Sequence, residues 1–288
     1  MHEPASFLDA AATGRNSAWR SVAGAIVVFV SWQVAAVSGT LAGVGLASVL
    51  ALPAPYDAMV RLAGVFMAPI GLLSGLWLVQ RLIHRRSLLS LVTTSVHLAW
   101  GRIALGAAVW AALLAAAEIV AAMLEPGAYR LTFGAGPFFA SLVVLVPLIA
   151  LQAVGEELYF RGYLLQAMGR YARSSWVLLP AGAVLFALPH LGNPEVASGG
   201  WPVVVAYALM GGLLTAVALR DGRLELAIGL HVVNNLAAAV VVGTATSVIA
   251  GAAPMFTTAE ASPVLTLTVT AVQATVFWLV VFRGPQAT

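Results

Sequence analysis

The chain has 288 residues, 61% of them hydrophobic and 9% charged, with a net charge of +3, a mean hydropathy of +0.97 and no cysteine. Soluble domains are roughly 45–50% apolar, so this composition excludes an ordinary soluble protein. The missing cysteine excludes disulfides, thiolate metal centres and a cysteine nucleophile, and positive charge scattered over short loops excludes nucleic acid as a partner.

The first twenty residues, MHEPASFLDAAATGRNSAWR, form a polar lead carrying Glu3 and Asp9. They lack the basic start and short apolar core of a cleaved signal sequence, so 1–20 reads as a retained cytoplasmic segment. A crossing helix needs about 20 mostly apolar residues. Eight stretches qualify, near 21–40, 60–82, 101–124, 137–163, 174–191, 202–219, 225–249 and 263–282. The expected fold is therefore all-α, a polytopic membrane bundle of about eight transmembrane helices filling 21–283 as one domain. The apolar stretch 39–52 either lengthens the first helix or forms a re-entrant piece. Turn signals at 53–57, 125–129, 192–195 and 220–223 separate the later crossings. Gly39 with Gly43, and Gly71 with Gly75, have the spacing that lets helices approach closely.

All 14 basic residues are arginine, as expected of a GC-rich bacterial genome. Arginines mark cytoplasmic loops. With the N-terminus inside, Arg15, Arg20, Arg81, Arg85, Arg86, Arg102, Arg170, Arg173, Arg220, Arg223 and Arg283 all fall on the cytoplasmic side. Only Arg61 and Arg130 fall outside. The expectation is a multi-pass protein of the cell (inner) membrane with both termini cytoplasmic.

Three polar constellations interrupt the apolar helices. The stretch GEELYFRGYLLQ, 155–166, sets Glu157 and Arg161 one helical turn apart as a favourable ion pair. Glu156 is rotated by about 100° and cannot share that face, which leaves it free to face a cavity and activate water. The competing reading is a buried ion pair that fixes helix packing. In FALPH, Phe186 and His190 share a face, and Pro189 deprives the Leu185 carbonyl of its helical partner. In HVVNN, His231 and Asn235 share a face with Asn234 beside them; they read equally as donors into a cavity or as interhelical glue.

Glu156 lies 17 residues before Arg173 and His190 lies 17 after it, so an antiparallel hairpin puts both about 25 Å from the turn. A carboxylate with a histidine can activate water, and a second histidine with an amide can stabilise an oxyanion. Those are parts of a peptide hydrolase without a covalent nucleophile. A zinc alternative takes Glu156, His190 and His231 as ligands and leaves one position for water. A non-enzymatic immunity factor, scaffold or small transporter, with these residues as a packing network or proton path, is the third reading.

These motifs resemble the CAAX protease and bacteriocin-processing (CPBP, or Abi) family of intramembrane endopeptidases. EELYFR fits EExxxR, FALPH fits FxxxH and HVVNN fits HxxxN, in the family's order over roughly 80–250; RRSLLSL at 85–91 is similar to a less specific family feature. The resemblance implies an eight-helix bundle. It implies that Glu156 activates the attacking water with help from His190, and that His231 and Asn235 hold the oxyanion. It further implies that Glu157 and Arg161 support the site and that Phe186 packs against it. No cofactor is implied in the metal-free version of the mechanism, with zinc the second choice. The implied partners are the lipid bilayer and a peptide or lipid-linked protein cut near its C-terminus.

Among weaker features, Glu118 reads as a residue lining the cavity or bonded to a neighbour. His97 and Arg102 read as interfacial, and His84 with Arg81, Arg85 and Arg86 as a topology signal. Trp19, Trp100, Trp176 and Trp201 sit where interfacial anchors belong. Gly211–Gly212 reads as a close packing contact.

Overall fold

A computed structural model describes residues 6–125, 127–259 and 262–283. Residues 1–5 of the N-terminal segment, with Glu3, and Pro126 of the 125–129 turn lie outside them. Residues 6–17, which precede the first crossing, are tied to the bundle. A short 3-10 helix, Leu8–Ala12, buries Phe7, Ala10 and Ala11 against the bundle.

The α-helices follow in order: α1 (Ala18–Leu50), α2 (Ala54–Val65), α3 (Ala68–Leu78), α4 (Trp100–Leu124), α5 (Ala135–Glu157) and α6 (Gln166–Gly169). Then come α7 (Ser175–Ala187), α8 (Pro194–Gly199), α9 (Trp201–Asp221), α10 (Glu225–Val240) and α11 (Pro263–Phe282). A π turn, Val79–His84, continues α3, and a second, Leu158–Leu165, joins α5 to α6. Among the described residues, seven helical segments are long and apolar enough to cross a membrane. The essentially all-α polytopic bundle expected from hydropathy is the architecture observed.

One boundary takes the first of its two expected forms, and another differs from expectation. The stretch 39–52 does not fold back; it extends α1 to 33 residues. Its glycines permit this, because a Cβ at Gly39 would stand 2.4 Å from the Gly64 carbonyl oxygen, so α1 and α2 touch backbone to backbone. The seventh expected crossing, 225–249, is instead the 16-residue α10, which stops at Val240. The following Val-Val-Gly-Thr run favours extended backbone over helix. It forms β2 (Val242–Thr244), beside β1 (Tyr129–Leu131) and β3 (Phe256–Thr258), in a sheet ordered β1-β3-β2. β1 runs antiparallel to β3 with Arg130 opposite Thr257, and β2 runs parallel to it with Gly243 opposite Thr257.

The bundle centres on the α5–α6 rod. Residues 155–163 are buried without a break, as in a helix surrounded on all sides. Around it, α10 packs on α4 and α5, α7 packs on α9, and α11 packs on α9 and α4. A Cβ on Gly229 would lie 2.0 Å from the Ile103 carbonyl oxygen, and one on Gly106 would lie 2.3 Å from that of Leu226. This reciprocal contact draws α10 onto α4 two residues before His231.

Candidate active site

Glu156 and Glu157 end α5 and face different partners, as their one-residue offset requires. Glu157 is fully buried, and its Oε1 accepts from Arg161 Nη1 at 2.8 Å and from His231 Nδ1 at 2.8 Å. Arg161, also fully buried, donates Nη2 to the Gly211 carbonyl at 3.0 Å, and its guanidinium lies 4.5 Å from the centre of the Phe186 ring. Gly211 therefore does more than allow close packing. Its missing side chain lets α7 approach, since a Cβ there would meet Phe186 Cβ at 2.7 Å, and its carbonyl receives the buried cation.

His231 donates its Nδ1 proton to Glu157, and in the neutral ring Nε2 is then the acceptor. Asn235 Nδ2 lies 3.3 Å from that nitrogen and donates to Gln152 Oε1 at 2.9 Å. Gln152 Nε2 in turn donates to Glu156 Oε1. The other Glu156 oxygen, Oε2, is buried without a hydrogen-bond partner among the described residues and stands 3.8 Å from His231 Nε2. An unpaired carboxylate oxygen thus lies beside the His231 imidazole.

His190 arrives from α7. The helix ends at Ala187 and tightens into the 3-10 turn Leu188–Gly192 around Pro189, the local distortion expected there. His190 Nδ1 lies 2.7 Å from the Phe186 carbonyl oxygen, to which it donates. Its half-buried ring packs between Phe186, at 4.7 Å, and Tyr207, at 4.3 Å. The Phe186 ring also lies 5.5 Å from that of His231, so one phenyl group contacts both imidazoles.

The structure therefore brings Glu156, Glu157, Arg161, His231 and Asn235 into one bonded network, with Phe186 packed against it. His190 adjoins through aromatic contacts rather than by a hydrogen bond to Glu156. Both Asn235 N–H groups are used internally, one by Gln152 and one by His231. The oxyanion role implied for Asn235 requires it to exchange one of those bonds for substrate. Among the described residues, no three histidine, aspartate or glutamate side chains are gathered to hold a metal ion. Glu156, His190 and His231 are thus not assembled as a ligand trio in this arrangement.

Sequence reasoning missed Gln152, Tyr207 and Trp110. Gln152 was visible as a lone amide one turn before Glu156 in an apolar helix. Trp110, whose Nε1 donates to Asn234 Oδ1 at 3.1 Å, gave no signal, because only the α4–α10 contact turns it inward. Asn234 Nδ2 passes the chain on to Asn235 Oδ1 at 3.1 Å, so Asn235 is the amide on the site side and Asn234 buttresses it.

The other singled-out residues lie elsewhere. Glu118 accepts from the Tyr129 hydroxyl at 2.6 Å, and His97 is exposed. Arg102 pairs with Asp221. His84 is no loop marker: it is buried, donates Nδ1 to the Arg15 carbonyl at 3.0 Å and contacts the Tyr163 hydroxyl through Nε2 at 2.8 Å.

Residues 137–237, which contain every member of the network except Trp110, match the family model described as Rce1-like, type II CAAX prenyl endopeptidase. The chain is also similar to the uncharacterized protein YyaK of Bacillus subtilis (strain 168), with 30% identity over 190 residues. That alignment covers 66% of this chain and 64% of YyaK, so the chain spans somewhat less than two thirds of that relative's length. No solved structure matches the chain.

Proposed function

From the match of residues 137–237 to the Rce1-like family model, we propose that this chain is an intramembrane endopeptidase that hydrolyses a peptide bond with activated water. The observation that carries the reading is the buried, unpartnered Oε2 of Glu156, 3.8 Å from His231 Nε2. Glu157 Oε2 is bare as well, but its carboxylate is paired with Arg161, whereas Glu156 has no arginine partner, which suits it to act as a general base.

The division of labour follows from the bonds. Glu157, held by Arg161 and His231, fixes the imidazole tautomer so that Nε2 points at Glu156. Gln152 occupies Glu156 Oε1 and leaves Oε2 to take a proton from water. The water oxygen attacks the scissile carbonyl carbon, and Asn235, turning from Gln152, is the nearest donor to the resulting oxyanion. His190 has its Nδ1 committed to the Phe186 carbonyl and keeps Nε2 as an acceptor on the substrate side, and the proton taken up by Glu156 passes to the departing amine as the C–N bond breaks. No step of this reading uses a metal ion. The substrate class is a peptide or lipid-linked protein cut near its C-terminus. The arginine distribution favours cytoplasmic termini in a bacterial inner membrane.

The test is cleavage of a C-terminal peptide by protein purified into lipid nanodiscs. Glu156→Gln should lower kcat by about 10³-fold with no loss of helical content or thermal stability. Undiminished turnover in that variant would rule out the mechanism. Comparing membrane-protein termini in cells carrying the two forms would identify the substrate.

A further inference from the structure

The turn that closes the Ala54–His84 crossing holds a second polar cluster. Gln80 lies in the π turn Val79–His84 and is 1% exposed, yet neither its amide oxygen nor its amide nitrogen has a hydrogen-bond partner among the described residues. A buried primary amide left wholly unpaired is costly in a packing role. It lines a cavity of about 640 Å³ together with Trp77, Arg81, Arg85, Arg86 and Ser87.

The arginines here behave unlike surface loop residues. Arg85 is held in the left-handed region, φ +55°, which a long side chain adopts only at a cost. That turn closes the helix, and the Arg86 N–H returns to the Gln80 carbonyl at 2.9 Å. Arg86 anchors one side by donating Nη2 to Gln166 Oε1 at 2.8 Å, while its buried Nε is unpartnered. Burial pulls the Arg86 guanidinium down to about 10, still cationic at neutral pH. No carboxylate pairs with Arg81, Arg85 or Arg86 among the described residues. One cavity at the membrane boundary thus presents three guanidinium groups, an unpaired amide and a hydroxyl, with no anion of the protein's own. Below it, Trp77, Leu78 and Leu82 are exposed on the apolar shaft of the same crossing.

We propose that this cavity binds the phosphodiester headgroup of an anionic phospholipid, one whose headgroup ends in hydroxyls rather than an amine. The guanidinium groups take the phosphate oxygens, for which their paired donors are suited. Gln80, 1% exposed beneath the arginines, turns toward the headgroup on binding, accepting from a hydroxyl through its oxygen and donating through its nitrogen. The cluster of positive charge repels an ammonium headgroup, and the exposed Trp77, Leu78 and Leu82 receive the acyl chains. Free inorganic phosphate shares the anionic chemistry but not the chains.

The experiment is native mass spectrometry of the full-length, delipidated protein in detergent. It is titrated with dioleoylphosphatidylglycerol, dioleoylphosphatidylethanolamine or inorganic phosphate. Wild type should take one phosphatidylglycerol at least tenfold tighter than phosphatidylethanolamine. The exposed double variant Arg81→Gln, Arg85→Asn, whose asparagine tolerates the left-handed turn, should bind it roughly 25-fold more weakly, about fivefold per arginine. Gln80→Leu should erase most of the preference for glycerol over ethanolamine. Equal binding of the two lipids, or unchanged binding in the double variant, overturns the proposal. Displacement of bound lipid by inorganic phosphate alone overturns the lipid as the source of the anion.

Discussion

Arg161 is enclosed, its guanidinium shared between Glu157, the Gly211 carbonyl and the face of Phe186, whereas Arg81 and Arg85 are exposed and pair with no carboxylate among the described residues. The same side chain thus solves two problems in one bundle. At bilayer depth a cation persists only if protein groups replace its water, so Arg161 comes with its partners built in. At the boundary, water and headgroups are available, and the fold leaves the guanidinium groups open. The contrast teaches that the inner network supplies most of its own partners, and that the atoms it leaves bare, Glu156 Oε2, Glu157 Oε2 and Arg161 Nε, are all buried.

The comparison breaks most forcefully at Arg161. Arg161→Met leaves Glu157 as an uncompensated buried carboxylate and should cost about 3–5 kcal/mol in unfolding by denaturant in detergent. Glu157→Leu combined with Arg161→Met should restore most of that stability while the protein stays inactive. A double variant as unstable as the single one would show that the pair is not the closed unit described. Next in size, Gln152→Leu removes the donor to Glu156 Oε1. It should lower kcat by about 10- to 100-fold, the scale of one hydrogen bond to a charged group, with KM little changed. Steady-state kinetics beside an unaltered melting curve checks it.

Gly229→Ala sharpens the contrast from the backbone side. The added methyl collides with the Ile103 carbonyl, pushes α10 from α4 and should cost about 1–3 kcal/mol, with part of the activity lost through the displaced His231. The smallest effect belongs at the periphery. Asp57→Asn removes the Arg61–Asp57 pair, whose side chains are 42% and 28% exposed, and should change stability by only about 0.3–0.5 kcal/mol. A larger loss there would mean that boundary charges are as closed as Arg161.

What the sequence revealed was local. Crossings follow from runs of apolar residues, and the Glu157–Arg161 pair follows from helical spacing that survives even as the helix enters the π turn at Leu158. The three motifs were legible for the same reason, each within a single turn. What joins them was not. Gln152 to Asn235 and Trp110 to Asn234 are bonds between helices, and they depend on rotations that no single helix encodes. His84 misled because a histidine among arginines looks the same whether it faces water or the Arg15 carbonyl. The end of α10 was overestimated because hydropathy measures how apolar Val240–Val242 are, not whether β-branched residues beside a glycine prefer to extend.

That early stop has a consequence for the supply of a reactant. Sixteen helical residues reach only about 24 Å, short of a hydrocarbon layer of about 30 Å. Beyond Val240 the chain continues as β2, and the outer edges of the sheet, β1 and β2, offer backbone groups that acyl chains cannot satisfy. Solvent must therefore reach down to the sheet. Asn235 lies five residues from the end of α10, about 7–8 Å along its axis, which sets the candidate site close to the sheet.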